Sequence, residues 1–255
     1  MLSFSLRGTY SLNMLLENNK RHLTLADAFL KWTGRLMIPL YVSIVVALWG
    51  AFLFAPTEKE MGELQRIFYF HVSPAMVSYL AFLGVFLGGI MYLVRRQEFW
   101  DSFSASCAEV GLLLTIIVLT TGPIWSKPAW GTWLAWNDPR VMTELVLLLL
   151  FISYFILRSV MPEGDRMYKY AAVFGILASL DVPIVHMSIR WWRTIHPHVF
   201  TATEIKLDPD MKIAWLLAIL AFVILVCVFV FLRTAMRLQQ GVTHELYHVL
   251  AERRT

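Results

Sequence analysis

The chain has 255 residues, of which 58% are Ala, Val, Ile, Leu, Met, Phe, Trp, Tyr or Cys and only 16% are charged. Soluble domains run nearer ~45–50% apolar and ~25% charged, and the mean hydropathy here is +0.61. This balance excludes a disordered protein, a nucleic-acid reader and an ordinary soluble enzyme, and reads as one integral membrane domain. The net charge of +4 then belongs to the positive-inside pattern of membrane loops rather than to affinity for nucleic acid.

Residues 1–36 show no compact apolar run followed by a small-residue cleavage site, so no secretory signal is expected in them. They read as a cytoplasmic segment. Thr24-Leu25-Ala26-Asp27 has the form of a capping box, and Leu25, Phe29 and Leu36 fall near one face, which predicts a short interfacial helix leading into the first span. Apolar runs then predict transmembrane helices at 37–55, 72–94, 103–124, 141–160, 168–185 and 212–234, each near the ~20 residues needed to cross hydrocarbon. They are too continuous for the alternating strands of a barrel. The expected fold is an all-α integral membrane protein, a bundle of six transmembrane helices over 37–234 with a tryptophan-rich external loop between the third and fourth. A cytoplasmic tail at 235–255 is set off by Gln239-Gln240-Gly241. Gly84 and Gly88 form a GxxxG that permits close helix approach. Cys107 and Cys227 lie inside apolar runs and read as small buried hydrophobes.

With the N-terminus inside, fourteen of the 22 Lys and Arg fall on the cytoplasmic side and eight outside, which places both termini in the cytoplasm. Tryptophan is distributed the other way. Of ten, only Trp32 and Trp100 fall on the inner side, whereas an interfacial belt decorates both surfaces. Trp125, Trp130, Trp133 and Trp136 are concentrated between the third and fourth spans, among Pro123, Pro128, Gly131 and Pro139, where a continuous helix is not expected. Stacked indoles on such a loop suit a large, flat, apolar ligand. A heavy one-sided belt is the competing reading, and it covers Trp49 and Trp215 in any case.

His71 opens the second predicted span and His186 closes the fifth. These helices run in opposite directions, so both histidines lie at the same outer level. Ionisable groups at that depth are costly and mark function. Neutral imidazole is a good ligand for haem iron, and two of them would supply both axial positions. His196 and His198 compete for that role from a polar stretch around Pro197 and rank behind. A haem also brings two carboxylates, which guanidinium groups pair with well. Arg66, Arg140, Arg190 and Arg193 are near enough in sequence to serve, or anchor helix ends at the headgroups instead. His244-Glu245-Leu246-Tyr247-His248 matches the H-E-x-x-H zinc pattern. Catalytic zinc needs a third protein ligand and a sheltered cavity, and a solvated tail helix is expected there instead.

Trp130-Gly131-Thr132-Trp133-Leu134-Ala135-Trp136-Asn137-Asp138-Pro139-Arg140 resembles the tryptophan-rich "WWD" signature of the cytochrome c assembly, or haem-handling, protein family. Gln65-Arg66-Ile67-Phe68-Tyr69-Phe70-His71-Val72 and the run from Pro183 through His186, Trp191, Trp192 and Thr194 to His196 resemble the segments carrying that family's two external histidines. The likeness spans about residues 35–235 and is greatest to the CcmC branch. Two departures stand out: Leu134 occupies the place of a second paired tryptophan, and Asn137 intervenes before Asp138, so either fills the acidic slot.

The resemblance implies a haem-binding and haem-delivery protein of cytochrome c maturation in a bacterial inner membrane, not an enzyme. It would hold haem b on the periplasmic face and pass it to the haem chaperone CcmE, alongside CcmA, CcmB and the small CcmD. Its site would comprise His71 and His186 as iron ligands, with Arg66, Trp125, Trp130, Gly131, Trp133, Trp136, Asn137, Asp138, Arg140, Trp191 and Trp192. The chain has no P-loop, so ATP-driven release would come from another subunit. Rival readings are a cytochrome c synthetase-type member, usually longer than this chain, a bis-histidine cytochrome b subunit, or a purely structural membrane subunit.

Overall fold

The computed structural model describes residues 2–194, 196 and 207–252, with side chains from residue 16 onward apart from those of His248 and Glu252. The described residues contain no strand and seven α-helices: α1 (Leu2–Trp49), α2 (Ile67–Arg95), α3 (Glu98–Trp130), α4 (Pro139–Val160), α5 (Asp165–Ser179), α6 (Asp181–Trp191) and α7 (Pro209–Glu252). A π-helical turn, Gly50–Phe54, ends the first helix, and a 3-10 turn, Glu63–Arg66, opens the second. With α5 and α6 taken together, six segments are long and apolar enough to cross a membrane, as the hydropathy pattern predicts. The α5–α6 break at Leu180 follows from Pro183, which cannot donate to the Ser179 carbonyl and crowds it.

The helices run further than the apolar runs. Thr24 starts no helix, because α1 passes straight through it and its hydroxyl donates back to the Lys20 carbonyl. Likewise α7 does not stop at Gln239-Gln240-Gly241 but continues to Glu252. The reason is mutual support. Ala26, Leu25 and Phe29 of α1 pack on Ala235 and Leu238 of α7, with the Phe29 and Phe231 rings 5.2 Å apart. At ~1.5 Å per residue, α1 and α7 are each far longer than a ~30 Å hydrocarbon core, and they leave it together as an antiparallel pair.

The core between α2, α3, α4 and α5 is closed by aromatic stacking, with the Phe82 and Phe151 rings 4.3 Å apart. Glycine sets the α2–α3 spacing: a Cβ on Gly84 would meet Cys107 Sγ at 2.6 Å, and one on Gly88 would meet Ser104 Cβ at 3.0 Å. This is the close approach that the GxxxG implies. Two ionic clusters tie helices of the bundle together. Arg158 of α4 makes a bidentate bond to Asp101 of α3, both arms 2.7 Å, and Glu109 of α3 accepts from Arg233 and Arg237 of α7.

A second cluster lies at the other end of the bundle, where Ala47, Ala51 and Ala55 meet Phe68, Tyr69, Trp125, Ala214, Trp215 and Ala218. This end, remote from the chain termini, carries the predicted site. Trp215 is a buried member of that cluster, not the belt residue that a helical apolar run suggests.

Candidate functional site

The tryptophan-rich stretch is part helix and part loop. α3 continues through Pro123 and Pro128 to Trp130, contrary to the proline-based expectation, and stops at Gly131, whose φ of 77° places it in the left-handed region. Glycine serves there as the helix C-cap, with its N–H on the Lys127 carbonyl at 2.9 Å. Neighbouring structure holds the proline-interrupted end in place. Ser126 lies 2.7 Å from the Thr132 carbonyl and 2.8 Å from that of Trp133, tying the last helical turns to the connector. The loop proper is therefore 131–138.

Between this connector, α2 and α4 lies a cleft of about 580 Å³ including its open mouth, lined by His71, Gly122, Trp125, Trp130, Trp133, Arg140, Glu144 and His196. Beside it lies a second lobe of about 730 Å³, walled by α2 and α6, to which Phe68, Met76, Tyr79, His186 and Arg190 contribute. His71, Trp125, Arg140 and His196 line both lobes. Each lobe falls in the ~300–1,000 Å³ range of small-molecule sites.

The histidines differ in their seating. His71 Nδ1 lies 2.9 Å from Thr121 Oγ1, and its ring stands edge-on to Trp125. His186 stands edge-on to Tyr79 and lines only the second lobe. His196 packs on Trp130 with centroids 5.5 Å apart, and its Nδ1 lies 3.0 Å from Asp138 Oδ1. Burial holds the His196 imidazole below its usual range, partly opposed by the Asp138 carboxylate. It is therefore neutral at pH 7, with Nδ1–H donating to Asp138 and Nε2 left as a lone pair. His198 lies outside the described residues.

Asp138, not Asn137, is the built-in acid. It is buried, caps α4 by accepting from the Arg140 N–H at 3.0 Å, and receives the Thr194 hydroxyl at 2.6 Å. Asn137 is exposed. Of the other predicted residues, Trp125, Trp130, Trp133 and Arg140 come together in the cleft wall, while Trp136 and Asn137 line a shallow depression beside it with Arg193. Trp191 and Trp192 are exposed and stand edge-on to each other, away from both lobes. Arg66 is engaged elsewhere. It donates to Glu63 and to the Ala51 and Ala55 carbonyls, closing the π-turn that ends the first helix. The sequence reading did not single out Thr121, Gly122, Tyr79 or Glu144; for the first two, their position three to four residues before Trp125 on one helix is the signal that finds them.

The H-E-x-x-H pair lies on the distal part of α7. His244 is exposed, the His248 side chain lies outside the described ones, and no group of three possible metal ligands occurs among the described residues.

The profile of the family described as "Heme exporter protein C", CcmC, matches residues 13–247. The chain belongs to that family. Among CcmC relatives, heme exporter protein C of Escherichia coli (strain K12) is 31% identical over 197 residues, covering 77% of this chain and 78% of its own length. The Haemophilus influenzae protein of the same name is 30% identical over 200 residues, 76% of this chain and 78% of its own. A putative cytochrome c biosynthesis ccmC-like mitochondrial protein of Marchantia polymorpha is 30% identical over 194 residues, 76% and 80% respectively. The CcmC family is named for export and not for a catalysed reaction.

Proposed function

We propose that this chain is a haem-handling component of cytochrome c maturation that holds haem b in the cleft at the site end of the bundle. From there it passes the haem to the chaperone CcmE, in company with CcmA, CcmB and CcmD. The carrying observation is that three histidines and Arg140 wall one aromatic cleft in a membrane protein of a family named for haem export.

The donor set fits the ligand. Indoles and apolar side chains suit a porphyrin face. Arg140 and Arg190 are forks for its two carboxylates, and the Trp125 indole N–H, buried without a partner among the described residues, is a donor left over for a ligand. The iron, when bound, supplies the Lewis acid that neutral imidazoles ligate. Everything else falls to the chain: orienting the imidazoles, covering the macrocycle and holding its carboxylates. A shallow, open cleft also suits hand-over to a partner better than a sealed core.

His71 is the first axial ligand in this reading. For the second, His196 is favoured over His186, because it shares both lobes with His71 and its Nδ1 is already committed to a carboxylate. The Lys and Arg distribution supports placing the cleft on the side opposite the termini; a bacterial inner membrane, with that side periplasmic, is part of the same reading.

Absorption spectra of protein purified with haem test the assignment. Wild type is expected to be low-spin. His71→Ala and His196→Ala are expected to be five-coordinate or depleted, and His186→Ala to resemble wild type. Loss of the low-spin spectrum in His186→Ala with its retention in His196→Ala would restore the pair predicted from sequence. Wild-type spectra in all three would remove the histidines from the iron.

A further inference from the structure

A ligating imidazole is set by what its other nitrogen does, since the group behind it fixes the tautomer, the ring orientation and the basicity of the donor atom. The two imidazoles that line both lobes of the cleft are backed by chemically different groups. His196 has the Asp138 carboxylate at 3.0 Å. His71 has only the Thr121 hydroxyl at 2.9 Å. That hydroxyl lies 2.7 Å from the Ile117 carbonyl, which can only accept, so its single proton is spent there and its oxygen accepts from His71. His71 Nδ1 therefore carries the proton, and Nε2 has the lone pair.

The same stretch of α3 also sets the ring position. A Cβ on Gly122 would lie 3.4 Å from His71 Cε1, ordinary contact distance, so this turn of α3 lies directly against the imidazole edge. Trp125 stands against the ring with centroids 5.7 Å apart. Residues 121, 122 and 125 thus form a seat for one side chain of α2.

We propose that Thr121 is the positioning residue that presents His71 to a haem iron as the Nδ1–H tautomer. A neutral hydroxyl behind His71 and a carboxylate behind His196 then make His71 the weaker of two unequal ligands and the first to let go. A charged acceptor makes roughly twice as strong a hydrogen bond as a neutral one, so electron donation from His196 to the iron exceeds that from His71. For a protein whose task is to hold haem and then give it up, one firm and one yielding ligand define the order of release. The inference rests on the haem reading above.

The test begins without haem. In haem-free protein labelled with 15N-histidine, the signals lost in His71→Ala identify His71 by solid-state NMR. Wild type is expected to show His71 as the Nδ1–H tautomer alone, Thr121→Val a mixture of tautomers, and Thr121→Ser the wild-type pattern. Thr121→Val keeps the side-chain shape, so the bundle is expected to stay folded. With haem bound, Thr121→Val is expected to speed transfer to an apo-globin acceptor by about tenfold, with Thr121→Ser again as wild type. Carbon monoxide added to the ferrous protein should displace His71, so the iron–carbon stretch of the adduct is expected to be the same in wild type and Thr121→Val. An Nε2–H His71 in wild type, or an unchanged tautomer in Thr121→Val, would overturn the positioning role. A shifted stretch in Thr121→Val would identify His71 as the retained ligand and reverse the order of release. Retention of the wild-type haem spectrum in His71→Ala would instead defeat the haem reading, leaving the NMR result standing by itself.

Discussion

Asp138 joins three segments with one carboxylate. It caps α4 through the Arg140 N–H, accepts the Thr194 hydroxyl and holds His196 Nδ1. Its place before Pro139 explains why it and not Asn137 has this role: proline at the first helical position makes the preceding residue the N-cap, and aspartate is among the best N-caps. Asp-Pro has the form of a helix start, but the sequence reading began that span at 141, and the side-chain partners of Asp138 were not legible, because Thr194 and His196 lie 56 and 58 residues away. Asp138→Ala is expected to cost about 0.5–2 kcal/mol through loss of the cap and to free His196 as well. Asp138→Asn keeps a cap acceptor but removes the charge behind the imidazole. In detergent, thermal unfolding should fall for Asp138→Ala and hold for Asp138→Asn, while the haem-to-protein ratio falls for both. Asn137→Ala should leave both readings at wild type; a fall there would move the acidic role back to position 137.

Single helices showed their apolar centres in the sequence and hid their ends. Hydropathy marks where a helix must shed water, and lipid is as apolar as a protein core, so periodicity did not separate the buried Trp215 from the half-exposed Trp49. Nor did it register that α1 and α7 support each other beyond the spans, or that α3 carries two prolines to Trp130. Packing between helices was readable only where glycine reports it. Gly84 and Gly88 were visible as a motif. Gly111, with no such pattern, has the same role on the facing helix: a Cβ there would lie 2.6 Å from Phe82 Cε1, and the Phe82 ring is locked against Phe151. Gly111→Ala is therefore expected to destabilise by about 1–3 kcal/mol through overpacking. Gly34, where a Cβ meets nothing within 4 Å, is the control: Gly34→Ala is expected to be neutral or to stabilise by about 0.5–1 kcal/mol, the helix-propensity difference. Thermal unfolding of the two variants in one detergent reads the contrast, and equal midpoints would mean that α2 and α3 can separate at no cost.

At the scale of the molecule, an even number of spans returns the C-terminal helix to the side on which the chain begins, and the α1–α7 pair fixes those two ends together. The cleft lies at the opposite end, beside Ala51, Trp125 and Trp215. Geometry therefore links two questions: whichever side holds the termini, the cleft faces the other. Charge decides between them. By the spans read from the sequence, fourteen of the 22 Lys and Arg fall on the side of the termini, and cationic segments stay in the cytoplasm, so the cleft is expected to face away from it. Tryptophan follows the opposite bias because it serves the cleft as well as the interface. Starting from a variant with Cys107 and Cys227 replaced, Asn137→Cys should react with an impermeant thiol reagent applied to intact cells from the periplasmic side. Arg96→Cys and Glu245→Cys should react only after the membrane is opened. The reverse pattern would turn the whole molecule over and put the histidine cleft in the cytoplasm, where hand-over to a periplasmic chaperone could not occur. Labelling of all three from one side would instead break the six-span topology itself, because positions 96 and 137 are separated by the single span α3.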